Sequence, residues 1–508
     1  MSLKLLKSTF TVGGMTTLSR VFGLVRDIVI ARFFGPGLGV DVFIVAFRIP
    51  NFLRRLFAEG GFSQAFVPVL AEYKETRSKD EVQALVDQTA ASLGLILFLV
   101  SAVGVLLSPI LITVFAPGFL DEPDKHLLAS DMLKITFPYI LFISLTAFAG
   151  SILNTYKQFA VPAFTPVLLN LSLIACAICL APHMETPVMA LAWGVFIAGV
   201  AQLVFQIPFL LKLKLFPKPA FNRDREGVRR IFKLMVPILF AVSIVQINLL
   251  IDTLIASFLV TGSISWLYFS DRLVEFPLGV FGIALATVIL PNLSEKHARG
   301  SSQSFSNMLD WALRWVFLIA LPAAVGLVVL AAPLLTTLFQ YGEFTPYDVS
   351  MASQSLMAYS IGLPAFILIK VLSAGFFSRQ DTKTPVKIGA IAMLVNLVLN
   401  LLLVGPLAHA GLALATSLSA CLQAFLLYRI LKRDKVYQPG SGWLIYLFKI
   451  LLGLIIMGSL VYLGAGDILN WFDWGLLERT LNLGLWVILG IASYFILMFI
   501  SGIRLRHL

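Results

Sequence analysis

Charged side chains are scarce in this chain of 508 residues: Asp, Glu, Lys and Arg together make up 13% of it. Soluble globular proteins carry about 25%. Hydrophobic residues, by contrast, make up 59%, and the mean hydropathy is +0.92. The composition therefore excludes a soluble enzyme with a single anchor and predicts a polytopic membrane protein.

Residues and motifs that indicate disulfide bonds, metal binding or nucleotide hydrolysis are also scarce. The three cysteines, Cys176, Cys179 and Cys421, all lie in apolar segments, so no disulfide framework is indicated. The five histidines are scattered near connections and form no metal-binding pattern. No G-x-x-x-x-G-K-[ST] loop is present, which excludes nucleotide hydrolysis by that route. We expect no enzyme and no required cofactor.

The net charge of +11 follows the connections between apolar segments. Basic connections such as 72–81 and 212–230 alternate with neutral or acidic ones such as 117–126 and 466–479. Excess Lys and Arg marks the cytoplasmic side of a membrane protein, so it need not indicate nucleic acid. We expect both termini in the cytoplasm and no nucleic-acid partner.

Apolar stretches long enough to cross a bilayer can be counted along the chain. The count is fourteen, which predicts an all-α protein with 14 transmembrane helices. The predicted spans are 9–34, 39–70, 87–116, 128–156, 161–181, 187–211, 229–260, 263–293, 308–340, 347–377, 384–404, 409–431, 443–464 and 480–502.

An internal repeat relates the two halves of the chain. "SPILITVFAPGF" (108–119) resembles "APLLTTLFQYGEF" (332–344), and "FVPVLAEY" (66–73) resembles "ILPNLSEK" (289–296), at an offset of about 224. Six spans per copy return the chain to the same side, so the pattern predicts two parallel six-helix lobes around a central cavity, an arrangement found in transporters. The predicted domains are an N-lobe (1–212), a basic linker (213–228), a C-lobe (229–432) and two further helices (433–508).

Charges inside the spans concentrate in three of them. In the first span, Arg20 and Asp27 are seven residues apart and share a helix face, whereas Arg26 points elsewhere unless the helix bends. Further polar stripes follow in the second and eighth spans. Their members are Asp41, Arg48, Asn51, Arg55 and Glu59 in the second span, and Ser265, Tyr268, Arg272 and Glu275 in the eighth. Arg54 in the second span and Asp271, beside the stripe of the eighth, complete the charged set.

Two interpretations of these charges compete. They are either ion pairs that lock helices together or the lining of a water-filled cavity that handles an anion. Every cation in the set is Arg, although Lys fills many cytoplasmic connections. Because the planar guanidinium suits phosphate or carboxylate, we favour the cavity. Pairs such as Arg55 with Glu59 would then act as gates or locks.

A second polar set is mostly uncharged. Asn396 and Asn400 share a face of the eleventh span, Thr416 lies in the twelfth and Asp252 in the seventh. Oxygen ligands from three helices could hold a small hard cation such as sodium. Ordinary hydrogen bonding between membrane helices is the alternative.

Long motifs carry a resemblance to a known family. "SRVFGLVRD" (19–27), "DVFIVAFRIPNFLRRLFAEGGFSQAFVPVLAEY" (41–73), "DRLVEFPLGV" (271–280) and "GFFSRQDTKTPVKI" (375–388) closely resemble the MurJ family of lipid II flippases. That family belongs to the multidrug/oligosaccharidyl-lipid/polysaccharide exporter superfamily. The likeness extends over essentially the whole chain.

The resemblance implies a function and roles for individual residues. The expected substrate is lipid II, an undecaprenyl pyrophosphate carrying a disaccharide-pentapeptide, moved from the cytoplasmic to the periplasmic leaflet by alternating access. The family's essential arginines fall on Arg20, Arg26 and Arg272, with Arg54 and Arg55 in the second span, and Asp41 and Ser265 also match important positions. The last two helices would form a groove for the lipid tail, in contact with membrane lipids. The sodium set fits some family members.

Alternatives remain at this stage. A flippase for another polyprenyl-linked oligosaccharide would share the fold. A multidrug or cation antiporter of the same superfamily would more often have twelve spans and an acidic cavity. A scaffold for cell-wall enzymes would have no need of buried arginines. We expect the protein to act as a monomer.

Overall fold

The computed structural model describes residues 3–55, 62–220 and 226–503, and within those ranges every regular element is helical. By contacts, the chain forms two compact units, Met1–Gly262 and Ser263–Leu508. The fold is that of an all-α polytopic membrane protein, as the sequence predicts.

The described part of the first unit contains ten α-helices. Several begin with a residue suited to the position: Ser78 precedes α4 and forms a capping box with Glu81, in which each side chain accepts from the other residue's backbone N–H. The helices are α1 (Leu3–Phe34), α2 (Leu38–Arg54), α3 (Ser63–Thr76), α4 (Lys79–Leu106), α5 (Ser108–Phe115), α6 (Pro123–Thr136), α7 (Tyr139–Thr155), α8 (Ala160–Ala175), α9 (Met189–Leu213) and α10 (Glu226–Ala256).

The second unit, described as far as residue 503, contains nine. Thr345 and Asp348 form a capping box at the start of α15, and a π-helical turn, Leu278–Gly282, joins the first two helices. The helices are α11 (Ser263–Pro277), α12 (Ile283–Ala298), α13 (Ser302–Val329), α14 (Ala331–Phe339), α15 (Pro346–Phe377), α16 (Lys383–Arg433), α17 (Trp443–Ala465), α18 (Ile468–Asp473) and α19 (Leu476–Ile500).

The helix boundaries repeat with the offset seen in the sequence. Helices α4 and α13 each have 28 residues, and each is followed by a short helix, α5 or α14. Helices α6 and α15 then begin at equivalent prolines, Pro123 and Pro346. The repeat is therefore a repeat of structure as well as of sequence.

Helices occupy all the predicted spans as far as the chain is described. Among the described residues, ten continuous helical segments are long and apolar enough to cross a membrane by length and composition. One of them, α16, covers two predicted spans and is divided at Ala408, whose φ of 48° and ψ of −129° are not helical. The three predicted spans outside the ten fall on α1, on α2 with α3, and on α10. The number of crossings, fourteen, stays a prediction.

Helix α10 begins the second repeat but packs within the first compact unit, against α3, α4 and α5. The compact units therefore divide later in the chain than the lobes that the repeat predicts. The predicted lobe boundaries describe the repeat and stay a prediction.

Candidate substrate-binding site

The first charged cluster lies inside the first unit, between α1 and α8. Nε and Nη2 of Arg26 donate to Oδ1 of Asp27 at 2.9 and 2.7 Å, and Nη1 donates to Oδ1 of Asn170 at 3.0 Å. Asn170 in turn donates to the backbone carbonyl of Ser19 at 3.1 Å. Arg26 and Asp27 are 8% and 2% exposed, so charge compensation is needed and is present.

The placement of these residues refines the prediction for the first span. Arg26 and Asp27 are adjacent, yet the long arginine side chain reaches its neighbour's carboxylate. Arg20, expected to share a face with Asp27, is exposed on α1. Asn170 was not predicted as part of this cluster. Two sequence features could have identified it. Asn170 is an amide within an apolar span, and the repeat relates its position approximately to that of Asn396.

The stripe on α2 contacts the end of α10 and the connection that follows it. Asp41, 1% exposed, accepts a hydrogen bond from the backbone N–H of Gly262 at 2.6 Å. Arg48 donates to the buried hydroxyl of Thr253. Two predicted cavity residues thus contact adjacent parts of the chain: Asp41 contacts the connection 257–262, and Arg48 contacts the end of the helix before it.

Two further contacts hold the same connection, and neither was predicted from the sequence. The backbone N–H of Gly118 donates to Oγ of Ser257 at 3.0 Å. A Cβ at position 118 would lie 2.3 Å from the Ser257 carbonyl oxygen, so only glycine allows this approach. Buried Lys125 donates to Oγ1 of Thr261 at 3.0 Å, and its Nζ lies 4.7 Å above the ring of Phe119.

The other residues predicted in the second span lie near the end of α2. Nε of Arg54 donates to Oδ1 of Asn51 at 2.8 Å, one helical turn away. Arg55 is half-buried at the end of the helix. Glu59 lies outside the described residues, so the predicted pairing of Arg55 with Glu59 stays a prediction.

The stripe on α11 belongs to the second unit. Nη1 of Arg272 donates to Oε2 of Glu275 at 2.7 Å, and its guanidinium lies 4.8 Å from the ring centroid of Tyr268. These three side chains therefore share a face, as the spacing predicts. Ser265 is fully buried, and Asp271 is half-buried beside the stripe.

Three of the four residues predicted to bind a cation form one network within α16. Nδ2 of Asn400 donates to Oδ1 of Asn396 at 3.1 Å, and Nδ2 of Asn396 lies 3.4 Å from Oγ1 of Thr416. Both asparagines are buried. Asp252 lies on α10, in the first unit. Buried amide and hydroxyl oxygens are the donor type that a hard cation prefers.

An ion pair at the start of α10 was also not predicted from the sequence. Arg230, at the start of α10, binds Glu72 of α3 through both oxygens, at 2.9 and 2.8 Å. The hydrogen bond and positive charge of Arg230 lower the pKa of Glu72 below its ordinary value. Because both side chains are about half exposed, the pair is screened by water and salt.

The two C-terminal helices are attached to the second repeat at both ends. Oδ1 of Asp310 on α13 accepts from Tyr437, Gly440 and Trp443, at 2.6, 3.1 and 2.7 Å. Its Oδ2 accepts from Arg314 at 2.8 Å. Burial raises the pKa of Tyr437, so its hydroxyl stays protonated and donates. The connection between α16 and α17 is thus bound to α13.

At the other end of this pair, buried Arg479 of α19 binds backbone carbonyls. It donates to Trp471 and Phe472 at 2.8 Å each, and to Thr336 and Gln340 at 3.3 and 3.0 Å. These oxygens belong to the C-terminal turns of α18 and α14, where helix dipoles are negative. The segment 466–479, predicted to be a simple connection, therefore contains a helix and a buried cation.

Comparison with known proteins agrees with this architecture. A family model described as "Lipid II flippase MurJ" matches residues 30–481. A "Probable lipid II flippase MurJ" from Vibrio cholerae is 49% identical, covering 100% of this chain and 98% of that protein. The "Lipid II flippase MurJ" of Burkholderia cenocepacia is 43% identical, covering 99% of each.

Solved structures give the same result. A structure of "Lipid II flippase MurJ, inward closed conformation" matches with a TM-score of 0.81 and 28% identity, covering 96% of this chain and 98% of that one. An inward-facing multidrug resistance MATE family transporter of the MOP superfamily matches with a TM-score of 0.69 at 14% identity, covering 84% and 98%, which is a likeness of fold alone. With a family model and full-length relatives above 40% identity, the chain belongs to the MurJ family of lipid II flippases.

Proposed function

We propose that this protein moves lipid II from the cytoplasmic to the periplasmic leaflet of the bacterial inner membrane by alternating access. The observation that carries the proposal is the buried cluster of Arg26, Asp27 and Asn170 within an apolar protein. A guanidinium at membrane depth is costly, roughly 2.5–3.5 kcal/mol on insertion scales. A pyrophosphate cargo supplies the reason to keep it.

In this proposal the arginines divide into ligands and gates. Arg20, Arg26 and Arg272, with Ser265, bind the pyrophosphate and nearby head group. Counter-charges compensate the cations when no cargo is bound, as Asp27 and Glu275 do for Arg26 and Arg272. The residues that line the cavity or act as gates are Asp27, Asp41, Arg48, Asn51, Arg54, Arg55, Glu59, Asp271 and Glu275.

The contacts of Asp41 and Arg48 support their assignment as gates. Arg48 is hydrogen-bonded to the end of α10, and Asp41 is hydrogen-bonded to the connection after it. Alternating access requires contacts that form in one state and break in another. Hydrogen bonds to the last turn of one helix and to the connection after it meet that requirement, since movement of that one segment would break both.

The C-terminal pair would accommodate the lipid tail. Helices α17 and α19 expose many large apolar side chains, among them Leu444, Phe448 and Phe499, which are 85%, 67% and 70% exposed. Such surfaces suit contact with acyl or isoprenoid chains. The tail can then remain in lipid while the head group crosses.

The same proposal covers orientation, assembly and ions. Both termini lie in the cytoplasm, following the basic connections. The protein works as a monomeric transporter that catalyses no covalent reaction. Asp252, Asn396, Asn400 and Thr416 hold a sodium ion, for which the buried oxygens of α16 provide support.

Complementation tests the function directly. In cells depleted of their own lipid II flippase, this chain should restore growth and outward-facing lipid II. Arg26→Ala, inserted at an equal level, should restore neither. Purified protein that binds another polyprenyl-linked oligosaccharide and not lipid II would overturn the choice of substrate.

A further inference from the structure

Asn170 of α8 is the uncharged member of the Arg26 cluster. It is 6% exposed and lies in the mostly apolar segment "VLLNLSLIA" (167–175). A buried amide needs partners for both of its polar atoms. Asn170 has both on α1: its Oδ1 accepts from Nη1 of Arg26 at 3.0 Å, and its Nδ2 donates to the backbone carbonyl of Ser19 at 3.1 Å.

These two partners determine which way the amide faces. A guanidinium only donates hydrogen bonds and a backbone carbonyl only accepts them. The oxygen of Asn170 must therefore face Arg26, and its nitrogen must face Ser19. Ser19 lies seven residues before Arg26, about two turns away on the same helix. The hydrogen bond to Ser19 thus anchors the amide to α1 and holds its oxygen at a fixed place beside the guanidinium.

The guanidinium of Arg26 uses different sides for its two neighbours. Nε and Nη2 both donate to Oδ1 of Asp27, at 2.9 and 2.7 Å, whereas Nη1 donates to Asn170. In the strongest pairs with carboxylate or phosphate, each N–H has an oxygen of its own. Here two N–H groups share one oxygen. A diphosphate, which offers separate oxygens to the two groups, is therefore better matched than Asp27 to the edge formed by Nε and Nη2.

An amide at position 170 holds the guanidinium without neutralising it. Asp27 already balances the charge of Arg26. A carboxylate at position 170 would also accept from Nη1, but the cluster would then carry two negative charges and one positive charge, which disfavours an anionic cargo. It would also present an acceptor to the carbonyl of Ser19, which cannot donate. The chemistry of Asn170 therefore suits a residue that orients the arginine and leaves its charge for the cargo.

We infer that Asn170 is a positioning residue for pyrophosphate binding: it holds Nη1 of Arg26, so that the edge formed by Nε and Nη2 faces the diphosphate when Asp27 is displaced. The inference rests on the proposed function, in which Arg26 binds the pyrophosphate of the cargo. It assigns the diphosphate to one edge of this arginine and gives a role in recognition to an uncharged residue on a different helix.

Binding of undecaprenyl pyrophosphate to the full-length protein in lipid nanodiscs tests this role. Asn170→Leu removes both hydrogen bonds and adds no charge. It should weaken binding about tenfold, because Nη1 loses its fixed partner. In an Arg26→Lys background the same substitution should have almost no further effect, since lysine has no planar edge to orient. Thermal midpoints of the same samples report any loss of stability separately from the loss of affinity.

A second variant and a matched control accompany this measurement. Asn170→Asp keeps the shape of the side chain but adds a negative charge beside Arg26. It should weaken undecaprenyl pyrophosphate binding at least as much as Asn170→Leu, and it serves if Asn170→Leu folds poorly. Asn292 of α12 also donates from Nδ2 to a backbone carbonyl, that of Val288, at 2.7 Å. Asn292→Asp makes the same chemical change in the second unit and should leave binding unchanged.

The possible failures can be told apart. Binding equal to that of the parent in either folded Asn170 variant would overturn the positioning role. So would an equal loss of affinity from Asn170→Leu with and without Arg26→Lys, which would show that Asn170 only joins α8 to α1. A parent protein that does not bind undecaprenyl pyrophosphate, or an Arg26→Lys variant that binds it as tightly as the parent, would instead overturn the proposed function of Arg26 as a pyrophosphate ligand.

Discussion

Arg26 and Asp27 are adjacent on α1 and form a buried ion pair, with Nη2 of the arginine 2.7 Å from Oδ1 of the carboxylate. Neighbours on a helix point about 100° apart, so the pair exists because the arginine side chain bends toward the shorter aspartate. The third guanidinium nitrogen binds Asn170. The cluster can therefore serve either as a lock between α1 and α8 or as a ligand for an anion that displaces Asp27.

Substitution by lysine separates these two roles. We expect Arg26→Lys to fail in transport almost as badly as Arg26→Ala, because lysine keeps the charge but loses the bidentate fork that suits pyrophosphate. Both variants should insert normally, since removing or replacing a buried charge does not hinder insertion. Growth of a flippase-depleted strain, with lipid II orientation as the direct measurement, gives the answer.

Double neutralisation is the counter-test. If Arg26 only pairs with Asp27, removing both charges should be milder than removing one, which leaves a buried charge uncompensated. A functional Arg26→Gln/Asp27→Asn variant would remove the ligand assignment. The same comparison applies to Arg272, whose partner is Glu275.

Most of the fold was predictable because membrane spans carry a strong signal. About twenty apolar residues are needed to cross a bilayer, and the described helices fall on the predicted segments. The offset between repeats was visible in motifs such as 108–119. Hydropathy did not predict breaks within a span, such as the one between α4 and α5. It also did not predict the short helix α18, which lies in a segment with the composition of a connection.

The site was predictable in its residue types and less so in its contacts. Arginines in apolar spans stand out because burying a charge in a membrane is energetically costly. The spacing of Tyr268, Arg272 and Glu275 correctly predicted that they share a helix face. Helical periodicity takes no account of side-chain length. It therefore predicted Arg26 and Asp27 on different faces, although the two side chains form an ion pair. The contact of Gly118 with Ser257 joins residues 139 positions apart and depends on tertiary packing alone.

Membrane orientation gives a prediction that needs no knowledge of substrate. Because the basic connections predict cytoplasmic termini, a periplasm-active reporter fused after Leu508 should be silent. The same reporter inserted near Glu122, an exposed residue before α6, should be active. Activity at both positions would contradict the orientation and the parallel arrangement of the two repeats.

Sodium binding should appear as stabilisation of the purified protein. If Asp252, Asn396, Asn400 and Thr416 bind sodium, raising its concentration should raise the thermal midpoint, since a ligand of the folded state stabilises it. Potassium at equal ionic strength should have a smaller effect. Asp252→Ala should abolish the sodium-specific part. A parent protein whose melting ignores sodium would exclude the site.

The pair of Glu72 and Arg230 predicts a small, pH-dependent effect of Glu72→Gln. The folded-state pKa of Glu72 is lowered, chiefly by its hydrogen bond to Arg230, so the pair stabilises the protein fully above pH 4.5, the ordinary value. The contribution is lost as the pH falls through the lowered pKa. The difference in thermal midpoint between parent and variant should thus be constant near neutral pH and vanish in acid. It should also shrink at high salt. A difference that persists in acid would contradict this origin.

Arg479 gives the strongest structural prediction, because it is a buried cation whose described hydrogen bonds all go to backbone carbonyls. Its planar fork reaches the C-terminal turns of α14 and α18 together. Lysine concentrates its donors at one nitrogen and cannot serve both helix ends. We expect Arg479→Lys to destabilise the purified protein by about 2–3 kcal/mol, the worth of hydrogen bonds to a charged group. A lower thermal midpoint is the measurement.

The matched control is Arg433→Lys in the same unit. Arg433 is 72% exposed and pairs with Asp434 at the surface, so its replacement should have almost no effect. Selective loss of stability in Arg479→Lys would show that carbonyl geometry, rather than charge alone, attaches α18 and α19 to the second repeat. A fully stable Arg479→Lys would show instead that a point charge at the two helix ends is sufficient, because the helix dipoles attract any cation placed there.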